Sequence, residues 1–96
     1  MLTIYPAIFY QQKNGSYSVI FPDLHHLATE GKNMEEAMSM AVDCLAGYIH
    51  TAQKDGSAIP APTPMDKLDP YIEDEPDEDY SEEISRFITL VSVNVE

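Results

Sequence analysis

The chain has few cysteines and few basic residues, and each shortage excludes a class of protein. Cys44 is the only cysteine among 96 residues, which excludes an internal disulfide and fits a reducing cytosol. Five Lys and Arg residues stand against 17 Asp and Glu residues, so the formal net charge is −12. A protein with this charge is expected to repel nucleic acid and anionic membranes. Its natural partner is a basic protein.

The chain also lacks long apolar runs and a targeting segment. No run approaches the ~18 apolar residues of a membrane span. The first six residues, MLTIYP, lack the basic region followed by an apolar region that defines a signal peptide. We therefore expect a cytoplasmic protein with no membrane association. An apolar content of 44% predicts one folded domain over residues 1–96 with a single core of modest size.

Two alternating runs near the start predict a β-hairpin. Residues 2–12 are apolar on both faces, and Pro6 within them predicts a bulge or a stretch where no neighbour needs an N–H, which proline lacks. Residues 17–21 alternate in the same way. Asn14-Gly15 between the runs favours a two-residue type I′ turn with Gly15 at positive φ. This turn would give the cross-strand pairs Tyr10–Val19, Ile8–Phe21 and Phe9–Ile20.

A corner and a helix are predicted next. Pro22 ends the second strand because proline has no N–H to donate. Residues 27–30 can form a short third strand, followed by a turn at Gly31. Asn33 and Glu36 have the spacing of a capping box, which predicts the start of a helix at Met34. The helix is expected to run to about Lys54 and to stop at Asp55-Gly56. Its predicted apolar stripe is Met34, Ala37, Met38, Ala41, Leu45, Tyr48, Ile49 and Ala52.

The chain changes character after the helix. Residues 57–83 form a proline-rich and acidic loop, with an extended stretch predicted at 59–64. Within it, residues 66–83 (the acidic segment) hold ten carboxylates and one lysine, a local charge of −9. We expect irregular chain here apart from anchoring by Leu68, Tyr71 and Ile72, and both solvated disorder and partner contact stay open.

Residues 86–95 predict a final strand that is apolar on both faces, which favours a central place in a covered sheet. The element order β-β-β-α-β predicts an α+β fold.

This ordered pattern resembles the HicB family of antitoxins from bacterial type II toxin–antitoxin pairs. The resemblance is carried by YPAIFYQQKNGSYSVIFPDL and ATEGKNMEEAMSMAVDCLAGYI, with Pro60, Pro62 and a valine-rich last strand. It implies a partial RNase H-like fold in which one long helix covers a sheet of three to four strands. The residues to which we assign a structural role are Pro6, Gly15, Phe21, Pro22, Asp23, Gly31, Asn33 and Glu36.

The resemblance also implies a function. HicB antitoxins bind and mask HicA, a small basic mRNA endoribonuclease, and a homo-oligomer of two or more chains is expected. The acidic charge agrees, since an acidic protein can occupy the basic surface that holds RNA. The residues predicted to contact the toxin are Glu73, Asp74, Glu75, Asp77, Glu78 and Asp79.

Two features depart from the family pattern. His25-His26-Leu27 replaces the usual small-residue corner. Many members continue past the last strand into a DNA-binding domain, whereas this sequence stops at Glu96, so no operator binding by these 96 residues is expected.

Other candidate sites in the sequence favour structural roles over enzymatic or metal-binding ones. Metal-dependent nuclease chemistry needs converging carboxylates, and residues 2–12 contain none, so no catalytic role is expected. Asp23, His25 and His26 favour a surface corner over a metal site, and Cys44 favours a small buried residue over a nucleophile. No cofactor is predicted. The alternative function is a stand-alone oligomerising or ligand-binding domain without a toxin partner.

Overall fold

Four strands and one long helix make up the fold. The computed structural model describes residues 2–77 and 79–95. The elements are β1 (Leu2–Gln12), β2 (Tyr17–Phe21), β3 (Leu27–Gly31), α1 (Met34–Asp55) and β4 (Glu83–Asn94), with short 3₁₀ turns at Pro22–Leu24 and Met65–Lys67. The strands form one antiparallel sheet in the order β3-β2-β1-β4. The predicted α+β fold, with one long helix on a sheet of up to four strands, is confirmed.

The face of the sheet that packs against α1, the inner face, carries the larger core. Odd-numbered residues of β1 point to this face because side chains alternate along a strand. Tyr5, Ala7 and Phe9 are buried there with Val19 and Phe21 of β2. The helix contributes the predicted stripe, of which Ala37, Ala41, Leu45, Ile49 and Ala52 are buried. The opposite, outer face carries a smaller cluster of Ile8, Tyr10 and Leu68.

Both ends of α1 are capped, and both predicted ends are confirmed to within one residue. The Oδ1 atom of Asn33 accepts a hydrogen bond of 2.8 Å from the backbone N–H of Glu36. The Glu36 carboxylate accepts from the N–H of Lys32 at 3.1 Å, one residue earlier than in a standard capping box. Gly56 ends the helix at φ 69°. No helix within the described residues is long and apolar enough to cross a bilayer.

The predicted hairpin register is wrong by one residue. Phe9 pairs with Val19, and Ile8 pairs with Ile20. The loop has three residues, 13–15, closed by a bond of 3.0 Å from the N–H of Gly15 to the carbonyl of Gln12. Gly15 has the predicted positive φ, 91°. A type I′ turn also needs positive φ at Asn14, but His25 and His26 are the only described residues other than glycine with positive φ. The turn is therefore not type I′.

The position of β4 also differs from the prediction. It lies at the edge of the sheet, and β1 is central between β2 and β4. Both faces of β4 are apolar because each covers a different cluster: Val91 packs toward α1, and Ile88 packs toward Leu68. Leu90 is nevertheless 51% exposed, as the edge position allows.

Pro6 and Gly31 have clear structural roles. Pro6 pairs with Leu90 without a register shift, and pairing of β1 with β2 begins only at Ile8, so β2 requires no N–H from Pro6. Gly31 does not form the predicted turn; it is the last residue of β3 and is buried. A Cβ atom at Gly31 would lie 2.3 Å from the backbone nitrogen of Ala37, so glycine permits close packing of strand and helix.

Candidate functional site

The acidic segment folds against the outer face of the sheet. Leu68 is 8% exposed and packs with Ile8 and Tyr10, which confirms it as an anchor. Ile72 is 57% exposed and does not anchor the chain, contrary to the prediction. Two backbone bonds of 3.1 Å, from Ile72 to Asp69 and from Asp74 to Tyr71, shape the segment into turns. The described residues of the segment, 66–77 and 79–83, therefore have a defined conformation, with no helix or strand among those between Lys67 and Glu83.

Arg86 of β4 forms the centre of this arrangement. Its side chain is 9% exposed. Two guanidinium N–H groups donate to the two carboxylate oxygens of Glu83, from Nε at 2.7 Å and from Nη2 at 2.6 Å. The third nitrogen, Nη1, donates to Asp74 at 2.8 Å and to the carbonyl of Pro70 at 3.1 Å. A planar guanidinium suits such a two-point carboxylate contact.

Three tyrosine rings surround the same guanidinium. Its carbon atom lies 4.4 Å from the ring centroid of Tyr71, 4.9 Å from that of Tyr10 and 5.6 Å from that of Tyr80. These distances are within the range of cation–π attraction. The hydroxyl of Tyr80 also accepts a 2.7 Å bond from the N–H of Glu75. We call Arg86, Glu83, Asp74 and the three tyrosines the Arg86 cluster.

Hydrogen bonds within the Arg86 cluster keep the arginine charged, and burial keeps Tyr10 neutral. Burial alone would lower the pKa of Arg86, but hydrogen bonds to Glu83 and Asp74 outweigh it and raise that pKa. Burial raises the pKa of Tyr10 to about 12, although the nearby Arg86 opposes the rise. The cluster therefore holds one permanent cation between two carboxylates at neutral pH.

The corner after β2 holds the other end of the loop. The Asp23 carboxylate accepts from the N–H of Thr63 at 2.8 Å and from its hydroxyl at 2.6 Å. The hydroxyl of Tyr5 donates to the carbonyl of Pro60. The proline stretch is thus tied to both the corner and β1, and Asp23 has a structural role.

The two corner histidines are exposed, as predicted for a surface corner. His25 and His26 have φ of 58° and 61°. The Nδ1 atom of His26 contacts the carboxylate of Glu73, which links the corner to the acidic segment. Among the described residues, no three His, Cys, Asp or Glu side chains are grouped to hold a metal ion. Cys44 is half-buried, and burial raises the pKa of its thiol.

The structure divides the six predicted toxin-contacting carboxylates into two groups. Glu73 and Asp74 are engaged internally, with His26 and Arg86. Glu75 and Asp77 are exposed and have no side-chain partner within residues 2–77 and 79–95. Asp79 is exposed as well; hydrogen bonds from Ser81 lower its pKa and keep it ionised. Glu78 lies outside the described residues.

Sequence reasoning missed the Arg86 cluster. The available signal was that Arg86 is the only Lys or Arg after Lys67, and it follows a run that contains Tyr71 and Tyr80. A lone cation beside ten carboxylates is a natural centre for ordering them. The arrangement offers Glu75, Asp77 and Asp79, which we call the outer carboxylates, to a cationic surface.

Comparison with known proteins identifies the family. The model of the HicB_like antitoxin of bacterial toxin-antitoxin systems matches residues 4–73. The chain belongs to the HicB-like antitoxin family. Antitoxin HicB of Escherichia coli K12 is 33% identical over 69 residues, which are 72% of this chain and 50% of that protein. Antitoxin HicB 1 of Photorhabdus laumondii is 36% identical over 61 residues, 64% of this chain and 39% of that protein. The chain thus spans half the length of these relatives or less.

Solved structures share the fold. A chain of the toxin–antitoxin complex from Streptococcus pneumoniae has a TM-score of 0.84 and 29% identity, covering 98% of this chain and 70% of that chain. The N-terminal domain of Burkholderia pseudomallei antitoxin HicB has a TM-score of 0.67 and 17% identity, covering 97% of this chain and 100% of that chain. The range matched by the family ends at residue 73, so Asp74 and Arg86 lie beyond it.

Proposed function

We propose that this chain is a cytoplasmic antitoxin that binds a small basic HicA-type mRNA endoribonuclease and masks its RNA-binding surface. It acts by binding and not by catalysis. Membership of the HicB-like family supports the antitoxin role, and the relative from Streptococcus pneumoniae was solved in a toxin–antitoxin complex.

The observation that carries the masking mechanism is the set of outer carboxylates on an ordered segment. A ribonuclease must hold phosphate groups with basic side chains, and carboxylates spaced along a fixed chain can replace those phosphates. The net charge of −12 adds long-range attraction to such a toxin. Glu73 and Asp74 contribute indirectly, because their carboxylates shape the segment.

Co-expression with a small basic HicA-type toxin tests this proposal. We expect the two proteins to co-purify, and the chain to stop cleavage of a reporter mRNA by the toxin at about one equivalent. A variant with Glu75→Gln, Asp77→Asn and Asp79→Asn should inhibit less well. The control is Glu35→Gln, Asp43→Asn and Asp55→Asn, which removes the same charge from exposed positions of α1. Undiminished cleavage by the toxin in the presence of the wild-type chain would reject the proposal.

The exposed edge of β4 favours self-association as a second candidate function. β4 pairs with β1 along one edge, and no described strand pairs with its other edge. Leu90 and Phe87 of this strand are 51% and 37% exposed. Unprotected edge strands readily pair with another strand. We therefore propose a homo-oligomer, and light scattering of the purified chain, with and without the toxin, reads its mass directly.

A further inference from the structure

We infer that Arg86 is a positioning residue, which holds the acidic segment as a preformed surface so that the outer carboxylates meet a partner in a fixed arrangement. The role in partner binding rests on the proposed function; the ordering of the segment does not. The Arg86 side chain is only 9% exposed, and each of its three guanidinium nitrogens donates a hydrogen bond within the chain, so it is not offered as a contact.

The first argument is electrostatic. Asp74 and Glu83 both bind the same guanidinium, at 2.8 Å and 2.6 Å, so their carboxylates lie close together. Without Arg86 these two anions would face each other in a segment whose charge of −9 includes them both. Like charges at short range repel, and the segment would separate from β4. Arg86 therefore replaces repulsion between Asp74 and Glu83 with attraction of both carboxylates to one cation.

The second argument is a continuous set of contacts from Arg86 to the outer carboxylates. Arg86 packs on the ring of Tyr80, and the Tyr80 hydroxyl accepts from the N–H of Glu75. On the other side, Arg86 binds the carbonyl of Pro70 and packs on Tyr71, whose carbonyl accepts from the N–H of Asp74. Both ends of the turn that carries Glu75 and Asp77 are thus fixed through one side chain.

A charge effect and a positioning effect predict opposite signs. Arg86→Gln makes the chain more negative, so if charge alone governed recognition, a basic partner would bind more tightly. If Arg86 positions the segment, the variant must order the segment during binding, and affinity falls. The direction of the change therefore separates the two explanations.

The first experiment is hydrogen exchange on the full chain without a partner. Arg86→Gln should accelerate exchange at the amides of Ile72, Asp74 and Glu75 by about tenfold or more, while amides in β1 and β2 keep their protection. Arg86→Lys keeps the charge but loses the planar fork, and it should also release the segment. Unchanged exchange rates in Arg86→Gln would overturn the inference. Wild-type exchange rates in Arg86→Lys would show that the positive charge alone orders the segment and that the planar guanidinium is not required.

A second variant guards against a general loss of folding. The double substitution Asp74→Asn and Tyr71→Ala removes contacts from the segment side and leaves the pair of Arg86 and Glu83 within β4 intact. It should release residues 69–77 and leave the sheet protected. If those amides retain wild-type protection, the Arg86 cluster does not hold the segment and the inference fails.

The third measurement uses a HicA-type toxin as the partner. We expect Arg86→Gln to weaken binding by about tenfold, mainly through faster dissociation, despite the added negative charge. Equal or tighter binding would overturn the positioning role. Absence of any binding by the wild-type chain would reject the proposed function instead, and the exchange results would still decide whether Arg86 orders the segment.

Discussion

The hydroxyl group of Tyr10 is buried without a partner. Within the described residues it is the one buried side-chain oxygen or nitrogen that has no hydrogen bond. The ring itself makes favourable contacts, because it packs in the outer cluster and lies against Arg86. An unpaired buried hydroxyl opposes folding because it gives up its bond to water. Removing the oxygen while keeping the ring separates the two contributions.

Tyr10→Phe should raise the free energy of unfolding by about 1 kcal/mol. The matched control is Tyr5→Phe, which removes a hydroxyl that donates to the Pro60 carbonyl and should lower stability by about the same amount. Urea denaturation measures both. A loss of stability in Tyr10→Phe would show that its hydroxyl has a partner.

The same substitution should change the alkaline limit of stability. The pKa of Tyr10 is about 12 in the folded protein, above its ordinary value of 10.0. The folded state therefore holds this proton more tightly, so the contribution is complete below pH 10 and is lost as pH rises toward about 12. Tyr10→Phe should lose less stability over that window than wild type, in urea melts at increasing pH.

At the scale of elements, close packing of β3 on α1 depends on a missing side chain. A Cβ atom at Gly31 would approach the backbone of Ala37 to 2.3–2.6 Å. This clash could be relieved only by moving the backbone of β3 or of α1 as a whole. Gly31→Ala should lower the free energy of unfolding by about 3 kcal/mol. Gly47→Ala is the control, because Gly47 is exposed in α1 with open space around it and should gain about 1 kcal/mol. A thermal melt of Gly31→Ala equal to wild type would contradict this packing.

Local signals predicted the helix but not the hairpin register. Asn33, Glu36 and Gly56 act within one turn of the chain, so spacing alone located both ends of α1. Asn14-Gly15 fits both a two-residue and a three-residue loop, because each needs Gly15 at positive φ. Here Asn14 stays at negative φ, and its side chain accepts from the N–H of Ser16 at 2.9 Å, which the sequence could not distinguish.

Long-range packing explains the other differences. The apolar faces of β4 predicted a central strand, but the acidic segment covers part of its outer face through Leu68 and so allows an edge position. Arg86 contacts Pro70 and Asp74 at sequence separations of 16 and 12 residues. No sequence periodicity indicates such contacts. The sequence could therefore predict the acidic residues as a candidate site, but not which of them bind within the chain and which face solvent.

At the scale of the whole molecule, some carboxylates bind groups within the chain and others face solvent. α1 covers the inner face of the sheet, and the acidic segment lies on the outer face, so the outer carboxylates and the carboxylates of α1 are on different sides. Arg86 binds the carboxylates of Glu83 and Asp74 internally, and the carboxylate of Glu73 contacts His26. The field that a basic partner meets on the outer side therefore comes from the carboxylates that remain unpaired.

This division predicts how association depends on salt. Neutralising the outer carboxylates, by Glu75→Gln, Asp77→Asn and Asp79→Asn, should slow association with the toxin by about tenfold at low salt and flatten its salt dependence. The difference should shrink as the Debye length falls below ~10 Å above 0.1 M salt. Dissociation should change less if apolar contacts set the lifetime, and stability should stay nearly constant because exposed carboxylates contribute little.

Stopped-flow association at several salt concentrations measures this effect. The control with Glu35→Gln, Asp43→Asn and Asp55→Asn loses the same charge from α1, so it reports the effect of net charge alone. If position matters, the outer variant should slow association more than the α1 variant at every low salt concentration, since attraction between charges falls with distance. Equal rates and equal salt slopes for the two variants would mean that only net charge steers the encounter, and the acidic segment would then have no directing role.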